Sequence, residues 1–307
     1  MGIPLSEGMV VISIKYKRRW GDRFDGRKIR SLDPMTRIAG FIMPNRCGAT
    51  NLLKDSFPIE KVEKYIRQKR VEGLKDFGML HVLIAAYVRM VSQRPGVNRY
   101  FSGQTVYARR NIMVAMTIKK EMNAEAPDTT IKVVFEPDST AAEIYEKFNK
   151  AVTEYKQGAD GANEDFTGTV KILNHIPRLL LKFVVWFLKM LDYFGLLPRF
   201  LVRDVSPFHA SMFITSMGSL GIPPIYHHLY DFGNVPLFLS YGSKRSVNEI
   251  QRDGTVVRRK YLDFTAVTDE RICDGFYFAS ALRLFKSIMD DPEQLDVPPD
   301  EIVEDIP

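Results

Sequence analysis

Protons near neutral pH are moved most readily by histidine and cysteine, and this 307-residue chain has five of the one and two of the other. His81 lies in a stretch, 74–94, that is apolar over most of its surface, so it reads as a packed core histidine. His209 precedes a hydroxyl-bearing strand, and His227-His228 follow Gly221 in a turn; these read as loop or interface residues rather than bases. Cys47 and Cys273 cannot make a metal site by themselves, so no metal is expected, and two thiols do not suggest a disulfide framework. With no signal peptide recognised, this favours a reducing cytoplasm. Cys273 sits inside the charged run Thr268-Asp269-Glu270-Arg271-Ile272-Cys273-Asp274-Gly275 and reads as a small packed side chain rather than a nucleophile. Asp274, just before Gly275 and an apolar run, reads as a helix cap.

Two further stretches could bind something. The net charge of +6 and a pI near 9.1 point to an anionic partner, either nucleic acid or a phosphorylated small molecule such as coenzyme A. No RNA-binding, zinc-finger or helix-turn-helix signature is present, which argues against nucleic acid. Lys17 to Arg30 carries seven basic residues against two aspartates and reads as a solvated arm. Residues 176–202 are unusually apolar, with Arg178, Lys182, Lys189 and Asp192 confined to one stripe of a helical wheel. Charges recur too often for a spanning helix. The segment is expected to pack against its own domain or a neighbouring subunit, with contact to a membrane surface as the alternative.

The elements that must position these residues are read from periodicity. Residues 9–17, 104–118, 129–135, 210–216, 235–241 and 255–267 read as strands, and helices are expected from Pro58 to Gly73, Leu74 to Arg94, Thr140 to Tyr155 and Gly275 to Met289. Thr140 and Glu143 form a capping box. Strands and helices mix without strict βαβ regularity, which suggests a mixed α/β sandwich. Without a Gly/Ser- or Pro-rich linker, 1–293 is expected to be a single domain, with 156–205 as an insertion. Residues 294–307, acidic and proline-containing, are expected to be a disordered tail.

Three segments in order resemble the catalytic domain of 2-oxo acid dehydrogenase acyltransferases. The run 268–275 is similar to that family's Asp-His-Arg-x-x-Asp-Gly, whose His-x-x-x-Asp-Gly core chloramphenicol acetyltransferase shares. Phe213-Ile214-Thr215-Ser216-Met217-Gly218-Ser219-Leu220-Gly221 resembles its Thr-Ile-Ser-Asn-Leu-Gly-Ser-Phe-Gly strand and turn. The helix into Pro95-Gly96-Val97-Asn98, then Val106-Tyr107 and Asn111-Ile112-Met113-Val114-Ala115, resembles its Pro-x-Leu-Asn, Ile-Val-Tyr and Val-Asn-Ile-Gly-Ile-Ala. The resemblance covers roughly 33–155 and 208–293 and is absent from 156–205. No lipoyl or peripheral-subunit-binding domain is recognised, which argues against membership of a dehydrogenase complex.

The resemblance implies a chloramphenicol acetyltransferase-like two-layer sandwich with a mixed β-sheet and packed helices, working as a homotrimer. It implies acyl transfer between a thioester and a thiol, with coenzyme A or acyl-coenzyme A as substrate. Histidine is the family's base, and this chain has Glu270 in its place. An unperturbed glutamate is about two pKa units weaker than histidine, roughly 3 kcal/mol of driving force. The oxyanion-stabilising hydroxyl falls on Thr215, or on Ser216 if the register slips by one. The loop aspartate falls on Asp274, with Arg271 beside it and Arg37 as its arginine partner. Two alternatives stand beside the enzyme: a non-catalytic trimeric scaffold of the same fold, and a membrane-surface protein acting through 176–202.

Overall fold

The longest strands lie in the last third of the chain, where β8 (Leu237–Ile250) and β9 (Val256–Asp269) pair antiparallel. The computed structural model describes residues 18–119, 128–156 and 176–307, so the strand expected at 9–17 lies outside the described residues. β9 also pairs antiparallel with β2 (Thr50–Pro58). On its other side β8 runs parallel to β7 (Met212–Ser216), β7 parallel to β5 (Ile112–Lys119), and β5 antiparallel to β6 (Asp128–Phe135). The result is a six-stranded mixed sheet in the order β2-β9-β8-β7-β5-β6. A smaller antiparallel sheet joins β1 (Gly26–Lys28), β4 (Thr105–Arg109) and β3 (Arg99–Ser102).

Helices α2 (Glu60–Val71), α3 (Met79–Gln93), α4 (Ala141–Lys156) and α6 (Gly275–Asp290) contribute to one continuous core against the large sheet, giving the expected two layers. α3 is buried almost end to end, as a helix apolar on all sides must be. The capping box forms, with Thr140 and Glu143 exchanging side chain-to-amide hydrogen bonds. A smaller cluster, including Phe213, Phe238 and Val267, covers the sheet's opposite face.

Four expectations change. Pro58 closes β2 instead of opening α2; β2 is an edge strand whose half-exposed side chains leave no apolar alternation to read. The basic arm is not wholly solvated, because Asp22 and Arg23 are buried and Gly26–Lys28 joins the small sheet. The acidic tail is laid along the body rather than disordered. Arg99 grips Asp305 through two contacts, at 2.5 and 2.8 Å, and the Val303 amide donates to the Ser92 carbonyl at 2.8 Å. The tail's composition shows its own charge and not the arginines waiting for it. Finally, α5 (Arg178–Phe194), within the segment expected to pack, buries only Asp192.

Candidate active site

The run 269–275 is held by a buried charge cluster. At the end of β9, Asp269 is 1% exposed and accepts from Arg271 Nε at 2.8 Å, Arg271 Nη2 at 2.7 Å and Arg46 Nε at 3.3 Å. Arg46 spends its other donors on the Tyr230 and Phe101 carbonyls, at 2.7 and 3.0 Å, and Arg271 reaches the Met43 carbonyl at 2.8 Å. The Arg271 guanidinium also lies 3.9 Å from the Phe101 ring centroid. Burial lowers the pKa of Arg46 against the attraction of Asp269. Two cations on one carboxylate thus lock the turn that follows β9.

From this turn Glu270 projects outward. Its amide donates to the Ala49 carbonyl at 2.8 Å, while its side chain is exposed and has no hydrogen-bond or ion-pair partner among the described residues. Arg271 holds the turn through Asp269. Asp274 is exposed and accepts from the Tyr277 amide at 2.7 Å, so it caps α6 and holds no arginine. Arg37 is not its partner; it lies exposed on α1 (Pro34–Ile42) and donates to the Arg30 carbonyl. Asp269 went unrecognised as the anchoring carboxylate because a strand-end acid beside an arginine looks like any surface pair until burial is known.

Strand alternation puts Thr215 and Ser216 on opposite faces of the sheet. Met212 and Ile214 point into the helix-side core and Phe213 into the opposite cluster. Ser216 therefore shares the side of Met212 and Ile214, where its side chain hydrogen-bonds Tyr241, and Thr215 shares the face of Phe213. Thr215 pairs with Ser240 and Ser240 with Thr265, a row of three hydroxyls across β7, β8 and β9. Two of them are engaged by one residue: Ser240 Oγ accepts from the Ile225 amide at 3.2 Å and Thr265 Oγ1 donates to the Ile225 carbonyl at 2.5 Å. Thr215, half-buried, keeps a hydroxyl with no partner among the described residues.

Thr215 and Glu270 are not brought together within one chain. Thr265 aligns with Thr215 two strands away, and Glu270 lies five residues farther along. At ~3.3 Å per residue and ~4.8 Å per strand, that separates them by roughly 19 Å. No direct proton or oxyanion chemistry spans that distance.

Three of the described histidines, His81, His209 and His227, are occupied. His81 Nδ1 accepts from the Gly78 amide at 3.1 Å, so its protonated Nε2 donates to Asn149 Oδ1 at 3.2 Å, and burial lowers its pKa. His227 stacks on Phe238 with ring centroids 4.0 Å apart. His209 lies in the loop before β7 but is buried: it is 2% exposed, with Nδ1 2.7 Å from Ser206 Oγ and Nε2 3.4 Å from Asp192 Oδ1, and burial lowers its pKa. Arg23 closes the same knot, donating to the Asp192 and Tyr193 carbonyls at 2.5 and 2.8 Å. Gly103, at φ +55°, lets the β3–β4 turn approach Tyr193, where a Cβ would strike the carbonyl. The end of α5 is thereby pinned. Burial also pushes the Cys273 thiol up to about 12, which fits a packed thiol and not a nucleophile.

A polar cleft of about 240 Å³ opens beside the cluster, lined among others by Arg46, Arg271, Gln104, Lys189, Asp192 and Asp231. Among the described residues, no group of three or more His, Cys, Asp or Glu side chains is placed to hold a metal ion.

No protein-family model matches this sequence, and no curated protein matches it. The fold does match solved structures. A probable dihydrolipoamide acetyltransferase from Listeria monocytogenes 4b F2365 aligns over 86% of this chain and 95% of its own, at 12% identity and a TM-score of 0.54. The dihydrolipoamide acetyltransferase of Azotobacter vinelandii, studied for a serine, a histidine and an asparagine in its catalytic mechanism, aligns over 95% and 99%, at 11% identity and 0.55. The cubic core of the pyruvate dehydrogenase multienzyme complex aligns over the same shares, at 11% and 0.52. The chain has the fold of these acetyltransferase cores.

Proposed function

We propose that this chain is a thioester-dependent acyltransferase whose working unit is a homotrimer, with the site formed where Glu270 of one copy meets Thr215 of the next. The observation that carries the reading is the pair of unpartnered groups, Glu270 exposed and Thr215 with a free hydroxyl, roughly 19 Å apart in one chain and so usable together only across a subunit boundary. The Azotobacter enzyme is described with a serine, a histidine and an asparagine in its mechanism. On the motif resemblance, Thr215, Glu270 and Asp274 occupy the corresponding places.

In this reading the acyl donor is an acyl-coenzyme A and the acceptor a small thiol, in a reducing cytoplasm that keeps the thiol free. Glu270 takes the thiol proton as sulfur attacks the thioester carbonyl. The Thr215 hydroxyl donates to the tetrahedral oxyanion. Collapse expels the coenzyme A thiolate, which recovers the proton from Glu270. Arg271 and Arg46 act as positioning residues, holding the turn through Asp269.

The test is subunit complementation. Glu270→Gln alone should abolish turnover, and Thr215→Ala alone should cost on the order of 10²-fold. Equal amounts of the two variants, refolded together, should recover about one quarter of wild-type activity, the chance that a boundary pairs an intact Glu270 with an intact Thr215. Two dead variants that stay dead when mixed would place the site elsewhere.

A second reading, a catalytically inert scaffold of the same fold, is favoured by the exposure of Glu270 and by Asp274 serving as a plain cap. Wild-type protein at the uncatalysed rate across a panel of acyl-coenzyme A donors would decide for the scaffold.

A further inference from the structure

Helix α5 presents its apolar side outward. Leu179, Leu180, Phe183, Trp186, Phe187 and Phe194 are all exposed, Leu179 at 83% and Trp186 at 57%. At 100° per residue they span about 120° of the wheel. Leu181, Val184, Leu188 and Leu191, half-buried, lie on the opposite side towards the body. Taking ~150–250 Å² for each aromatic side chain, the outward face exposes on the order of 600 Å² of apolar surface, at the upper limit for a soluble monomer.

One edge of that face is cationic. Arg178, Lys182 and Lys189 fall within about 40° of one another, directly beside Trp186 and Leu179 on the wheel. None of the three has an ion-pair partner among the described residues. The one acid of the helix, Asp192, is buried and bound by Arg23 and His209, so every exposed charge on α5 is positive. A face-to-face contact between two copies of α5 would set these cations against their own kind. An anionic surface complements them.

The helix is not built to cross a bilayer. It has 17 residues, about 25 Å of rise, and among the described residues no helix is long and apolar enough to span a membrane. A helix with one apolar face, a cationic edge and a rigidly pinned end is built to lie in the interface plane.

We propose that α5 docks this protein onto an anionic lipid bilayer, its outward face inserted at the headgroup–acyl boundary and Arg178, Lys182 and Lys189 among the headgroup phosphates. This does not depend on the acyl-transfer reading. The knot of Arg23, Asp192 and His209 fixes the angle at which the helix is offered.

The chain has two tryptophans, so Trp20→Phe leaves Trp186 as the sole reporter. With that variant, vesicles of neutral phosphatidylcholine and vesicles containing 30% phosphatidylglycerol are compared by flotation and fluorescence. At roughly fivefold per cation, three cations should favour the anionic vesicles on the order of a hundredfold, with the preference collapsing in high salt. Trp186 emission should shift to the blue and be quenched by brominated lipid. Lys182→Glu with Lys189→Glu should remove most of the preference without unfolding, because both side chains are exposed; Phe183→Glu should abolish insertion, with circular dichroism checking the fold. Three results would overturn the proposal. They are no flotation on anionic vesicles, equal flotation on both kinds, or Trp186 emission already blue-shifted in the lipid-free oligomer and unchanged by vesicles, which would mean a protein surface covers the face.

Discussion

Replacing Asp269 with asparagine should destabilise the fold by about 3–5 kcal/mol, the usual cost of breaking a buried ion pair by removing one partner. The carboxylate accepts three guanidinium hydrogen bonds, at 2.7, 2.8 and 3.3 Å, and one from the Arg271 amide at 3.2 Å. Asparagine has the same shape and retains one acceptor oxygen, so the lower end, about 3 kcal/mol, is expected. What it cannot supply is charge, and it leaves two guanidiniums buried with no counterion beside them; Arg271 is 3% and Arg46 5% exposed. At about 1.5 °C per kcal/mol for a chain of this length, the melting point should drop by roughly 5 °C. Urea unfolding followed by circular dichroism at fixed protein concentration measures the effect, with an unchanged slope showing that the unfolding reaction is the same. Arg46→Met then tests the cause. It should cost less in the Asp269→Asn background than in wild type, because it removes a surplus cation, with a coupling of about 1–2 kcal/mol. An Asp269→Asn variant within about 1 kcal/mol of wild type, or strict additivity of the two changes, would refute the assignment of this cluster as the lock on the turn.

Two further outcomes follow from burial. Lys132 on β6 donates to the Val202 and Ser206 carbonyls at 2.9 and 2.8 Å, and burial pushes its pKa down to about 7. The unfolded chain, with a lysine near 10.4, therefore binds more protons between about pH 7 and 10, so stability should climb with pH through that window by up to ~1.4 kcal/mol per unit and be lost as pH falls through 7. Urea midpoints at pH 7, 8 and 9 should show the climb in wild type and a flatter line in Lys132→Met; equal slopes would remove Lys132 as its source. Cys273, with its thiol pushed up to about 12, should react with iodoacetamide at pH 8 far more slowly than the exposed Cys47, on the order of 10²-fold. Peptide mass spectrometry reads the order of labelling, and equal rates in native protein would contradict the burial of Cys273.

The two-layer form was implied by the family resemblance, while local patterning alone indicated most element types, a mixed α/β sandwich, the capping box at Thr140 and the cap at Asp274. These depend on side-chain periodicity and on hydrogen bonds between residues three apart, both of which are written along the chain. Which of Thr215 and Ser216 faces away from the helices was not legible, because a period of two fixes only their alternation and the packing of Met212 and Ile214 fixes which side is which. Tertiary structure decided what depends on distant partners. Arg46 reaches Asp269 across 223 positions and Arg99 reaches Asp305 across 206, so neither the lock on the turn nor the seating of the acidic tail was visible locally. The separation of Thr215 and Glu270, roughly 19 Å by strand spacing, likewise follows from strand order. For α5, sequence established that one side is charged and the rest apolar, but only the packed fold decided which side faces out. Asp192, its single acid, is drawn inward to Arg23 and His209, because a carboxylate buried with a guanidinium and an imidazole is satisfied there, and that rotation leaves Trp186 and Phe183 in the open.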